Sequence, residues 1–190
     1  GFLLLLLLTS LGMAGLFVGW AYSAPPLALV SRGLGEVAIT LCWLLVVIGA
    51  DYVQRGGFSP LPALAGLSYA LLVPNVLYIN QFPDRAGDAA AGKRTLVVRL
   101  GADAAKWGYL LIAIVAYAWL VAMVAGDHLP RQAAAAALTL VVSFSAARQL
   151  IADAARPAEL APALKLTILA ANLHGLVLAA TLAFVAPVGG

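Results

Sequence analysis

The sequence predicts an all-α fold: a polytopic bundle of six transmembrane helices in one domain over residues 1–190. Three observations carry that prediction. Of the 190 residues, 64% are hydrophobic and 10% charged. The mean hydropathy is +1.01. The apolar residues gather into six stretches, each near the length of about 20 residues that crosses hydrocarbon. A soluble domain is about a quarter charged, so this composition lies outside that class, and it equally excludes disordered, collagenous and nucleic-acid-binding chains. The single cysteine, Cys42, sits inside an apolar run, which leaves neither a disulfide framework nor a thiolate cluster for zinc. Backbone polar groups in lipid must be satisfied within their own segment, and the stretches lack the alternation of a barrel, so the spans are helices.

The first stretch, 2–22, follows Gly1 directly, has no basic residue before it, and continues through Trp20 and Tyr22. A signal peptide has a basic start and a shorter apolar core, so this is a transmembrane helix. Because the chain lacks an initial methionine, we expect a segment upstream of it. The second stretch, 35–53, follows a turn rich in proline and glycine and ends at Asp51, placed for interfacial solvation. Glu36, just past that turn, either touches substrate or caps the second span. The third and fourth stretches are 61–80 and 107–126. The fifth, 133–151, begins with Ala133 to Ala137, small residues that let membrane helices pack closely. The sixth, 163–185, carries Asn172 and His174, expected to form interhelical hydrogen bonds. No internal repeat is evident.

Nine of the eleven lysines and arginines fall on the first, third and fifth connections, and Arg55 and Arg131 on the other two. The positive-inside rule puts the first set in the cytoplasm and Gly1 on the far side. The net charge of +3 therefore records topology, not an anionic polymer partner, and no nucleic acid is expected. A chain starting in the cytoplasm would need an odd number of helices before Gly1.

The third connection is unusually rich in chemistry. Between Asn80 and Lys106 lie Asp84, Arg85, Asp88, Lys93, Arg94, Arg99, Asp103 and Lys106. Such charge also suits a solvated loop. Yet Asn80, Asp84 and Asp88 recur every four residues, which stacks them on one helical face. Two carboxylates on one face suit magnesium, whose coordination is completed by water and substrate phosphates. Lys93, Arg94 and Arg99 follow, and such cations bind phosphate oxygens. The set as a whole suits a diphosphate. Pro83 is expected to kink the helix or open a new one, with Gly87 and Gly92 allowing a bend.

The stretch Asn80-Gln-Phe-Pro-Asp84-Arg-Ala-Gly-Asp88, followed by Gly92-Lys-Arg-Thr-Leu-Val-Val-Arg-Leu-Gly101, resembles the second aspartate-rich motif of the UbiA superfamily of intramembrane prenyltransferases. Its ending looks most like the branch that includes 1,4-dihydroxy-2-naphthoate prenyltransferase of menaquinone synthesis. Gly19-Trp-Ala-Tyr22-Ser-Ala-Pro25-Pro26-Leu27 and Gly33-Leu-Gly35-Glu36 are similar to that family's cytoplasmic connection two helices earlier. The resemblance implies transfer of an isoprenoid from a prenyl diphosphate to an aromatic, quinone-precursor acceptor, with Mg2+ as cofactor, at a cytoplasm-facing site in the cell membrane. It makes Asp84 and Asp88 the catalytic, metal-binding pair, with Asn80 in support. Lys93, Arg94 and Arg99 become diphosphate contacts. Tyr22 and Tyr78, each ending a span, are either cavity-lining substrate contacts or interfacial anchors.

The family has nine helices and a further N-D-x-x-D-x-x-x-D motif before this one, and nothing ahead of Asp51 supplies it. The resemblance therefore implies the last six helices, the C-terminal two-thirds of a longer protein. Other readings are a CDP-alcohol phosphotransferase-like enzyme, a membrane transporter and an inactive fragment. The first lacks its D-G-x-x-A-R segment upstream of Asp84. For the second, charges gather at one face and not along a midplane path.

Overall fold

The computed structural model describes residues 2–184, with side chains from Leu5 onward; Gly1 and the predicted end of the last span at residue 185 lie outside them. Seven α-helices follow one another: α1 (Phe2–Ser23), α2 (Gly35–Arg55), α3 (Leu61–Ala90), α4 (Leu96–Leu100), α5 (Ala102–Ala125), α6 (Leu140–Asp153) and α7 (Ala161–Ala183). Short 3-10 turns lie at Leu29–Arg32 and Pro157–Glu159, and a longer 3-10 run, Arg131–Thr139, leads into α6. There is no strand among the described residues. Six helical segments are long and apolar enough to cross a membrane, the fifth joining the 3-10 run to α6. The chain is an all-helical, multi-pass membrane bundle.

α3 is the most buried span and α1 the least. Leu16, Phe17 and Trp20 of α1 point outward, as lipid-facing residues do. α3 packs against α2, α5 and α7. Small residues bring the helices together: Ala70, Ala105, Ala113, Ala116, Ala146 and Ala163 are all buried, and close backbone approach is what drives packing where lipid is as apolar as the side chains.

The boundaries differ from the expected ones in three places. First, α3 does not end at residue 80 but continues to Ala90. Pro83 neither breaks it nor opens a second helix, although proline gives up one backbone bond there, as Pro74 does a few turns earlier. Gly87 stays helical, and the bend comes at Gly92, with φ of 74°. Thirty residues at 1.5 Å rise make a helix of about 45 Å, against roughly 30 Å of hydrocarbon. The helix's only charged residues, Asp84, Arg85 and Asp88, fall in its last turns, so the excess length suits that end, where charge can stay out of hydrocarbon.

Second, the fourth span begins at Ala102, because Gly101 separates it from α4 with φ 75° and ψ 159°.

Third, the fifth span opens as 3-10 helix. Its buried residues are Ala133, Ala136 and Thr139, a spacing of three that matches a 3-10 turn, whereas 3-10 runs beyond three or four residues are uncommon. A hydrogen-bonded cluster holds it. His174 Nδ1 donates to the Ala136 carbonyl at 3.2 Å, and His174 Nε2 lies 2.9 Å from Ser68 Oγ. The Tyr117 hydroxyl lies 3.1 Å from Thr139 Oγ1 and 2.9 Å from Ser143 Oγ. His174 thus joins α7 to α3 and to the 3-10 run, the interhelical role expected for it. Asn172 departs from that expectation: it is exposed and donates to the Ile168 carbonyl of its own helix.

Candidate active site

Because α3 runs unbroken to Ala90, Asn80, Asp84 and Asp88 lie on one helical stripe, with Asp84 exposed and Asn80 and Asp88 half-buried. Like charges one turn apart oppose each other by a few tenths of a kcal/mol. Asp84 makes no ion pair among the described residues, and Asp88 faces Lys93 Nζ at 3.6 Å. The Asn80 amide donates to the Val76 carbonyl one turn back on the same helix, at 2.6 Å.

Among the described residues no group of three or more acidic, histidine or cysteine side chains converges. Two carboxylates with nothing further suit a hard cation that keeps water and takes its remaining ligands from a phosphate, not an all-protein cage. Asp84 and Asp88 are carboxylates of the kind through which magnesium is bound when one or two protein ligands suffice.

The cations arrive on the segment after the Gly92 turn. Lys93 and Arg94 are exposed. Arg99 is partly committed: its Nε donates to the Arg94 carbonyl at 2.7 Å and its Nη2 to the Ser31 carbonyl at 3.4 Å. It fastens the cationic segment to the turn before α2 while keeping donors to spare.

Sequence reasoning did not single out Gln81, although it joins three pieces of this end of the bundle. Its Nε2 donates to Glu36 Oε1 at 2.6 Å, and its Oε1 accepts from the Val97 backbone N–H at 3.4 Å. Glu36 thus spends its carboxylate on α3, a role outside the two expected for it. Polar residues meeting across 45 positions leave no local pattern to find.

The two tyrosines part company. Tyr22 is half-buried and lies against Gly35, where an added Cβ would come 3.4 Å from its Cε2, so it stands beside Glu36 at the start of α2. Tyr78 is 1% exposed, and its hydroxyl donates to the Ala105 carbonyl at 2.8 Å. It is wedged against Gly108, inside the bundle. A tyrosine near a predicted span end carries no sign of which way it turns, and the extra length of α3 puts this one inside the bundle.

A cavity of about 1430 Å³ opens at the other end of the molecule, between α2, α3 and α7. Asp51, Arg55, His128, Arg131, Tyr69 and Asn172 are among its lining residues. Tyr69 and Asp84 are fifteen residues apart on α3, roughly 22 Å along the axis.

The sequence model of the UbiA prenyltransferase family matches residues 1–169. The chain belongs to the UbiA prenyltransferase family. Among curated UbiA-type relatives, it is similar to chlorophyll synthase of Arabidopsis thaliana, 30% identical over 98 residues, 51% of this chain and 25% of that protein. It is 36% identical over 95 residues to 1,4-dihydroxy-2-naphthoate octaprenyltransferase of Haemophilus influenzae, covering 49% of this chain and 31% of the relative. The Escherichia coli protein of the same name is 39% identical over 70 residues, 36% and 23% of the two chains. The matched stretches thus span about a quarter to a third of these relatives' lengths. No solved structure matches the chain.

Proposed function

We propose that this chain carries the diphosphate site of an intramembrane prenyltransferase that moves an isoprenoid from an allylic diphosphate to an aromatic quinone-precursor acceptor. One observation carries the reading: in a UbiA-family bundle, Asp84 and Asp88 stand one turn apart on a helix that outruns the hydrocarbon, with Lys93 3.6 Å from the second. Similarity to proteins named 1,4-dihydroxy-2-naphthoate octaprenyltransferase and the Gly92 to Gly101 tail favour a dihydroxynaphthoate as acceptor, which would make the step part of menaquinone synthesis.

The reaction breaks the bond from the allylic carbon to the diphosphate oxygen, and both electrons leave with the oxygen. An acceptor carbon supplies the pair for the new bond and then loses its proton. Asp84 and Asp88 would hold magnesium, which would supply positive charge to offset that on the departing diphosphate. Asn80 orients that stripe. Lys93 and Arg94 meet the remaining phosphate oxygens as fixed counter-charge, with Arg99 securing their segment. Tyr22, at the same membrane face, offers an aromatic face toward the allylic cation. The cleft between α2, α3 and α7 starts roughly 22 Å from Asp84 along α3, so it takes only the far end of a long isoprenoid chain. The site faces the cytoplasm, where most of the basic residues lie.

The test is product formation in lipid nanodiscs supplied with a set of all-trans allylic diphosphates, 1,4-dihydroxy-2-naphthoate and magnesium. We expect a prenylated naphthoate from the wild-type protein and a loss of about 100-fold in Asp84→Asn and in Asp88→Asn. Full activity in both variants would refute the site. Substrate flux across vesicles without covalent product would favour the transporter.

A further inference from the structure

We propose that Gln81 is a positioning residue: through Glu36 and the Val97 amide it sets the cationic segment 93–99 against the Asp84–Asp88 stripe. The role rests on the diphosphate reading of that stripe.

The carboxamide has one possible orientation. A carboxylate only accepts and a backbone N–H only donates, so the Nε2 must face Glu36, at 2.6 Å, and the Oε1 must face Val97, at 3.4 Å. Gln81 is half-buried, where such bonds are less exposed to competition from water. On one side it takes hold of the first turn of α2, whose N-cap residue Leu34 makes no side-chain cap bond. On the other it holds the start of α4.

α4 needs that hold. It has five residues, far fewer than a helix requires to persist alone. Thr95 stands at its N-cap with the residue type that ordinarily binds the first free amides, yet it makes no cap bond. Its Oγ1 is buried with no hydrogen-bond partner among the described residues. The Val97 amide that a local cap would take is given to Gln81 instead, so α4 is capped from another helix. Burial of Val97, 0% exposed, keeps α4 in contact with the core, and the Arg99 bond to Ser31 limits its far end. What the Gln81 contact adds is rotational setting at the end nearest Lys93 and Arg94. Gln81 lies three residues before Asp84 on the same helix, so the setting is referred directly to the aspartates.

A reciprocal exchange tests this. Gln81→Met removes both bonds. Q81E places two carboxylates against each other, and E36Q combined with Q81E restores one donor amide facing one carboxylate, which also accepts the Val97 N–H. Hydrogen exchange across 92–101 and titration with magnesium and inorganic pyrophosphate would be followed on all four proteins in nanodiscs. We expect both single changes at Gln81 to speed exchange of the 95–100 amides and weaken pyrophosphate by about tenfold, with the double variant back within about threefold of wild type. Amides of 70–80 should not change.

Wild-type binding with neither measurement altered by Gln81→Met overturns the positioning role and leaves the diphosphate reading intact. So does a double variant no better than Q81E alone. A wild-type protein that binds no magnesium pyrophosphate overturns the diphosphate reading, and the positioning role falls with it.

Discussion

Asp84 and Asp88 are placed where they oppose their own helix, and Lys93 pairs with the second of them alone. The helix bears that repulsion at a cost of about 0.3 kcal/mol, small enough that a bound divalent cation would reverse it. His174 is a polar residue of the other kind, fully buried and bonded on both ring nitrogens. Replacing it with leucine removes the donor to the Ala136 carbonyl and the partner of Ser68. Hydrogen bonds between membrane helices are worth about 0.6 to 2 kcal/mol, so His174→Leu should lower stability by about 1–2 kcal/mol in a denaturant titration in detergent, without changing pyrophosphate binding. The aspartates were legible in the sequence because a spacing of four fixes a shared face once the segment is helical. Tyr78 was not: an aromatic near a predicted span end can turn in or out, and only the continuation of α3 decides.

Elements were legible to the extent that local pattern determines them. Six apolar stretches gave six spans, since hydrophobic length is a property of the sequence itself. The errors fell where packing decides. In the alanine-rich run 131–139, spacings of three and of three to four look alike, and contact with His174 and Tyr117 selects the 3-10 form. That form makes a paired prediction: Ala136, 0% exposed, should accept leucine only at a cost of about 1–3 kcal/mol, while the same change at exposed Ala135 should be close to neutral in the same titration. Gly101 sets the α4–α5 junction in a conformation almost confined to glycine. Gly101→Ala should cost about 1–3 kcal/mol and raise hydrogen exchange across 96–106 before any other part of the bundle. Gln81 and Glu36 were invisible for the opposite reason to the aspartates: nothing local connects residues on separate helices.

The bundle as a whole separates its charges. Nine of eleven basic residues, Asp84, Asp88 and α4 lie toward one end, and the cavity lined by Asp51, Tyr69 and Asn172 opens at the other. This polarity predicts orientation. A cysteine placed at exposed Ala90 should react with a membrane-impermeant maleimide only from the cytoplasmic side, and one at exposed Gln132 only from the opposite side, with Cys42→Ser as background. The same labelling from both sides would reject the assigned topology.

On the proposed reading, the two carboxylates on α3 hold a divalent ion only together with a diphosphate. Manganese, whose electron paramagnetic resonance signal changes on binding, serves as the probe for magnesium in nanodiscs, with and without inorganic pyrophosphate. We expect weak binding alone, binding at least about tenfold tighter with pyrophosphate, and loss of that gain in Asp84→Asn and Asp88→Asn. Binding indifferent to pyrophosphate, or a gain that survives both substitutions, would contradict it.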